Sequence, residues 1–157
     1  MVKTVLFVCY GNICRSPMAE GLFKKMLLDH GKAGDINALS AGISAGSGPA
    51  SPYGVRAMEK IGIDISSHRA KQFTGGMTNS ADFIFASDEY VRDSIIDDFP
   101  EAKRKVFTLK EFAFGADSAD LDVEDPYGGE TEDFQRCADD IARTLEVIWE
   151  KIEEALE

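Results

Sequence analysis

The chain has 157 residues, 44% hydrophobic and 29% charged, a balance that suits one packed globular domain (1–157) and excludes a disordered or fibrous chain. Its formal net charge of -11 makes nucleic acid and anionic lipid unfavourable partners. No apolar stretch approaches the roughly 20 residues that span a bilayer, and MVKTVLFVCYGN is interrupted too early for a signal-peptide core, so no membrane contact and a cytoplasmic location are expected.

Val2 to Val8 is nearly all apolar, rich in β-branched and aromatic residues, and predicts a strand buried on both faces of a parallel sheet. Ser16-Pro17 predicts a helix start, with the hydroxyl at the N-cap and the proline at the first helical position. Met18, Leu22, Phe23 and Met26 give that helix its apolar face, Lys24 and Lys25 lie outside, and Gly31 and Gly34 mark its end. Ile36 to Ser40 predicts a second strand, followed by the Gly/Ser/Pro-rich loop AGISAGSGPASP.

A second helix is expected from Pro52, with Val55, Met58 and Ile61 on one face and a stop at Gly62. Asp82 to Ala86 predicts a third strand, Asp88 to Asp97 a helix, and Lys105 to Leu109 a fourth strand. The last helix is expected from Thr131 to Ala155, with Phe134, Ala138, Ile141, Leu145, Ile148 and Ile152 at helical spacing. Strands alternating with helices imply an α/β domain with a mostly parallel sheet, whose ligands bind beyond the carboxyl ends of the strands. Cys9 stands at such an end.

The cysteines are Cys9, Cys14 and Cys137, an odd number that does not suggest a disulfide framework. With only His30 and His68 and no C-x-x-C spacing, zinc is not expected. Cys137 sits on the apolar stripe of the last helix and reads as core packing, and His30 reads as solvated.

The segment Cys9-Tyr10-Gly11-Asn12-Ile13-Cys14-Arg15-Ser16 joins a strand to a helix and places five residues between a cysteine and an arginine. A loop of this length can curl so that successive backbone N–H groups form a nest for a tetrahedral oxyanion. The following helix adds its positive N-terminal end, and Arg15 brings planar donors matched to phosphate oxygens. That local field answers the problem an acidic chain poses for an anionic ligand, and it favours a Cys9 thiolate able to attack phosphorus. Ser16 can donate to the sulfur, Gly11 permits unusual backbone angles, and Asn12 can brace the loop from within. No metal or other cofactor is required, because these groups already supply positive potential.

VLFVCYGNICRSPMAEG resembles the active-site signature of low-molecular-weight protein tyrosine phosphatases. The likeness continues in family order through Ser40-Ala41-Gly42, the stretch Gly62 to Ala70 and Asp125-Pro126-Tyr127-Gly128, covering essentially the whole chain. It implies a single three-layer domain, a four-stranded parallel sheet with helices on both faces. It also implies hydrolysis of phosphotyrosine, an aryl phosphate monoester, in phosphorylated proteins or peptides through a cysteinyl-phosphate, with phosphate and similar oxyanions as inhibitors. A departing phenolate needs a proton, and a carboxylic acid can supply it. Asp120, Asp122, Glu124 and Asp125 are all candidates by position; the resemblance selects Asp125 in its Asp-Pro loop.

The resemblance puts Tyr10, Ile13 and Tyr127 on the walls of a slot for an aromatic ring, with Gly11, Asn12, Cys14 and Ser16 completing the binding loop. Asp88 matches an acidic position near the family's site, and His68 is expected to brace the loop. Cys14 is either a filler or a redox partner for Cys9, or both. VFTLKE and DPYGG also resemble the bacterial protein-arginine phosphatase branch, which carries threonine where Ile13 stands, so phosphoarginine is the alternative substrate and Ile13 favours the aryl ester. An arsenate reductase on this scaffold needs two further mid-chain cysteines, and residues 15–136 hold none. The lack of G-x-x-x-x-G-K-[ST] removes a nucleotide-binding loop.

Overall fold

The run KTVLFVC at Lys3–Cys9 (β1) is apolar at nearly every position, and its last five residues are buried. In the computed structural model, which describes residues 2–155, β1 lies between Ile36–Gly42 (β2) and Phe83–Ala86 (β3). Val106–Thr108 (β4) completes the order β2-β1-β3-β4, with every pairing parallel. A central strand with helices on both faces has no polar side to present, which explains why β1 does not alternate. The four-stranded parallel α/β sheet expected from the sequence is therefore present. The expected 1–157 span ends in Met1 and in Leu156 and Glu157, which lie outside the described residues.

Successive β1 side chains point to opposite layers. Val5 and Phe7 join the larger core with Phe23 of Arg15–Asp29 (α1) and Ile141, Leu145 and Ile148 of Thr131–Ile152 (α6). Leu6 and Val8 face the other layer, with Val91 and Ile95 of Glu89–Asp98 (α4). Full burial of a side chain of this size contributes roughly 1.5–3 kcal/mol before the entropic cost of ordering it. Pro52–Glu59 (α2) packs against α6, and Cys137 is buried in the same core.

Several boundaries differ from the expected ones. The first helix begins at Arg15, so Ser16 is its second residue and not the N-cap. Pro17 is third, which costs no intrahelical bond because the first four N–H groups have no partner there. The second helix ends at Glu59; Ile61 is 45% exposed, and Gly62 turns the chain at φ +81°. The last helix ends at Ile152, short of Ala155.

Two short helices were not expected, Gly75–Ser80 (α3) and Leu109–Phe114 (α5). The fourth strand stops at Thr108 because its hydroxyl accepts from Glu111 N at 2.9 Å while Glu111 Oε1 accepts from Thr108 N at 2.7 Å. This reciprocal capping starts α5. His30 is solvent-exposed as expected, and its ring also stacks on Trp149, centroids 4.5 Å apart.

Candidate active site

β1 and β2 end side by side, with Cys9 opposite Gly42. The chain then curls from Tyr10 to Cys14 before entering α1. Its carbonyls are tied outward: Tyr10 O accepts from Ser44 N at 2.8 Å, Ile13 O from Ser51 N at 2.8 Å, and Asn12 O from His68 Nε2 at 2.7 Å. The last contact requires the proton on Nε2, and it gives His68 the bracing position expected of it. A trans peptide sets each N–H opposite the preceding carbonyl, so these contacts turn the Gly11, Ile13 and Cys14 amides inward, as an anion nest requires.

The left-handed residue is Asn12, at φ +56°, and not Gly11. Asparagine tolerates this region better than most residues, and here its side chain is used as well. Asn12 is fully buried; its Nδ2 donates to Ser16 Oγ at 2.8 Å and Ser40 Oγ at 3.0 Å, and its Oδ1 accepts from Lys71 N at 2.9 Å. Ser40 in turn donates to Glu20 Oε1 at 2.6 Å, so its proton is committed and it can only accept from Asn12. Ser40 was not singled out as a site residue; its place depends on a strand 28 positions away in sequence. Gly42 is required for space, because a Cβ there would lie 2.8 Å from Asn12 N and Tyr10 O.

Cys9 Sγ accepts from Asn12 N at 3.2 Å and lies 2.9 Å from Ser16 Oγ. Donors on the sulfur stabilise negative charge there. Asn12 and Ser16 are thus behind the loop and not on the wall of the hollow, and each acts through a hydrogen bond. Tyr10, Gly11, Ile13, Cys14, Arg15, Asp125 and Tyr127 do line that hollow together with Cys9, in a cleft of about 530 Å³.

Arg15 is only 4% exposed. Its Nη1 donates to Asp88 Oδ2 at 2.6 Å and to the Val123 carbonyl at 3.0 Å. Burial works against its charge, yet the hydrogen bond to Asp88 and the nearby Asp125 and Cys9 raise its pKa above the ordinary arginine value. Its Nε is buried without a partner, and Nη2 has only Asp125 Oδ2 at 3.6 Å. The two lie on one edge of the guanidinium, so a bidentate pair of donors is held ready for two oxygens of a ligand. Asp88, also the N-cap of α4 through Val91 N at 2.8 Å, fixes that orientation. The Val123 carbonyl was invisible to sequence reasoning, since a backbone group carries no residue-type signal.

Of the four candidate carboxylates, Asp125 is the one on the Cys9 cleft. Asp120 pairs with Lys110 Nζ at 3.2 Å, Asp122 Oδ1 accepts from Glu89 N at 2.9 Å, and Glu124 lines a neighbouring cavity of about 390 Å³. Asp125 Oδ1 accepts from Tyr127 N at 3.1 Å, which leaves Oδ2 toward the cleft, and the side chain is about half exposed. The Cys14 thiol is pushed up to about 12, mainly by burial and then by the Asp125 and Cys9 charges, against the lowering effect of Arg15. Cys14 is therefore protonated at neutral pH, and all three thiols are free.

Residues 4–157 match the family described as low molecular weight phosphotyrosine protein phosphatase. The chain is 39% identical over 147 residues to a probable low molecular weight protein-tyrosine-phosphatase, EpsP, of Ralstonia nicotianae, covering 93% of each chain. It is 35% identical over 154 residues to a protein-arginine-phosphatase of Geobacillus stearothermophilus, covering 98% of each. The crystal structure of a low molecular weight protein tyrosine phosphatase from T. tengcongensis superimposes with a TM-score of 0.87 at 41% identity, over 95% of this chain and 99% of that one. With a cysteine sulfur that accepts from the loop, an arginine Nε without a protein partner on the same cleft, and these matches along nearly its whole length, the chain belongs to the low molecular weight phosphotyrosine protein phosphatase family.

Proposed function

We propose that residues 1–157 form one cytoplasmic phosphatase domain that hydrolyses phosphotyrosine in proteins or peptides, with Cys9 as nucleophile, Arg15 as phosphate clamp and Asp125 as general acid. The observation that carries this reading is the pairing of Cys9 Sγ, held by Asn12 N and Ser16 Oγ, with the unpartnered Nε edge of Arg15 on the same cleft. No described helix is long and apolar enough to cross a membrane, which is compatible with the proposed location.

In the first step the Cys9 thiolate attacks phosphorus and the P–O bond to the aryl oxygen breaks. The acid form of Asp125 gives its proton to that oxygen, so a neutral phenol leaves. In the second step the Asp125 carboxylate takes a proton from water, the water oxygen attacks phosphorus, and the S–P bond breaks to return the thiolate. Asn12 N and Ser16 Oγ stabilise the departing sulfur, while Arg15 and the loop amides hold the equatorial oxygens throughout. Inorganic phosphate fits the same nest and acts as an inhibitor.

Ile13 gives the cleft an apolar wall where a hydroxyl would be needed to meet a polar N–P group, which favours the aryl ester. The arginine-phosphatase relative supports the second reading, in which the scissile bond is N–P. Steady-state kinetics on matched phosphotyrosine and phosphoarginine peptides decide between them. Wild type should prefer phosphotyrosine, and Ile13→Thr should shift the ratio toward phosphoarginine. Preference of the wild type for phosphoarginine would reverse the assignment.

A further inference from the structure

Beyond the cleft, the first turn of α4 carries Tyr90, whose ring lies 6.4 Å from that of Tyr10 at a tilt of 37°. Both rings are open to solvent, 49% for Tyr10 and 67% for Tyr90. Tyr10 lines the phosphate cleft while Tyr90 does not, so the pair extends the cleft wall outward over the molecular surface. Carboxylates gather at the same turn. Glu89 precedes Tyr90, and Asp122 is fixed there by its bond from Glu89 N at 2.9 Å. Arg92 offsets Glu89 only through a contact of 3.5 Å and is otherwise engaged by Asp93 and Glu111.

Two adjacent aromatic faces edged by carboxylates suit one kind of side chain, a long cation with an apolar stem. Arginine and lysine lay their methylenes on a ring and keep the charge where carboxylates reach it. The acidic balance of the whole chain, net -11, acts in the same direction on approach. An acidic residue at this position would meet like charge. We propose that Tyr10 and Tyr90, with Glu89 and Asp122 beside them, form a ledge that receives a basic residue flanking the phosphorylated one in the substrate peptide. The proposal rests on the phosphotyrosine reading and narrows its substrate class. Tyr90 touches no reacting atom; it positions the peptide.

The test uses phosphotyrosine peptides identical except for arginine, glutamate or leucine at single positions from two before to two after the phosphorylated residue. For at least one position, wild type should turn over the arginine peptide with a kcat/KM about 5- to 10-fold above the glutamate peptide, mostly through KM and less so at high salt. Tyr90→Ala should bring that ratio to about 2 or below, and Tyr90→Phe should restore it. The ratio is read within each variant, so a general change in activity cancels. An unchanged ratio in Tyr90→Ala, no preference at any position, or a preference for leucine over arginine would each overturn the ledge. Turnover of para-nitrophenyl phosphate, which has no flanking residue, is measured alongside. If it proceeds while the peptide preference is absent, the ledge fails and the phosphatase stands; if it too is absent, the underlying function fails.

Discussion

Replacing Asn12 separates two reasons for its presence, its left-handed backbone and its buried amide. Asn12→Ala meets both costs. The left-handed conformation costs a residue with a Cβ roughly 1–2 kcal/mol, less for asparagine. The amide makes three hydrogen bonds, to Ser16, Ser40 and Lys71 N. At a net value of about 1 kcal/mol each, their loss costs about 3 kcal/mol, somewhat less where water reaches Lys71 N. Asn12→Gly relieves the backbone and keeps the amide loss.

Alanine is therefore expected to destabilise by about 3–4 kcal/mol and glycine by about 2–3 kcal/mol. For a chain of 157 residues, each kcal/mol lowers Tm by about 2–4 °C, so both variants should melt roughly 5–15 °C early. Urea unfolding monitored by Trp149 fluorescence measures the difference, and kcat on an aryl phosphate should fall in both variants. A glycine variant as stable as wild type would show that the backbone angle, and not the buried network, is what Asn12 provides.

Asp125→Asn should reduce kcat about 10²- to 10⁴-fold for esters of poor leaving groups and far less for those of acidic phenols, a dependence that a purely structural role would not produce. Gly42→Ala should depress activity more than stability, because the added carbon falls 2.8 Å from Asn12 N and must displace the loop; equal kinetics in that variant would contradict the packing argument. The Cys14 and Cys137 thiols stand at about 12 against 9.0 in an unfolded chain, mainly through burial. Above pH 9.0 the unfolded chain therefore releases these protons first, and stability that is complete below that pH falls as pH rises toward about 12. For Cys137 the loss integrates to about 1.4 kcal/mol between pH 8 and 10, so Cys137→Val should lessen the fall in stability across that interval by about that amount in urea titrations.

The sheet and the phosphate loop were legible because both depend on local pattern. β1 is a near-continuous apolar run, and Cys9 to Ser16 carries its own spacing between strand and helix. α3 was not legible, since GGMTNS contains poor helix formers and the segment is held by tertiary packing, with Gly75 against Phe99. α5 was not expected, since the predicted strand runs to its first residue, Leu109, although Thr108 and Glu111 stand at capping-box spacing. The support of Arg15 was the least legible part. Asp88 lies 73 positions away and Val123 lies 108 away, and only the strand order β2-β1-β3-β4 brings them to the carboxyl end of β1. Ser16 was misplaced as a cap for a related reason: its hydroxyl is engaged by Cys9 and Asn12, and the helix already starts at Arg15.

The most direct test is to acid-quench Asp125→Asn enzyme during turnover of a phosphotyrosine peptide and map the covalent phosphate by mass spectrometry. The account predicts phosphate on Cys9 of Asp125→Asn enzyme and no turnover by the Cys9→Ser variant. Phosphate on any other residue, or turnover that survives Cys9→Ser, would contradict it.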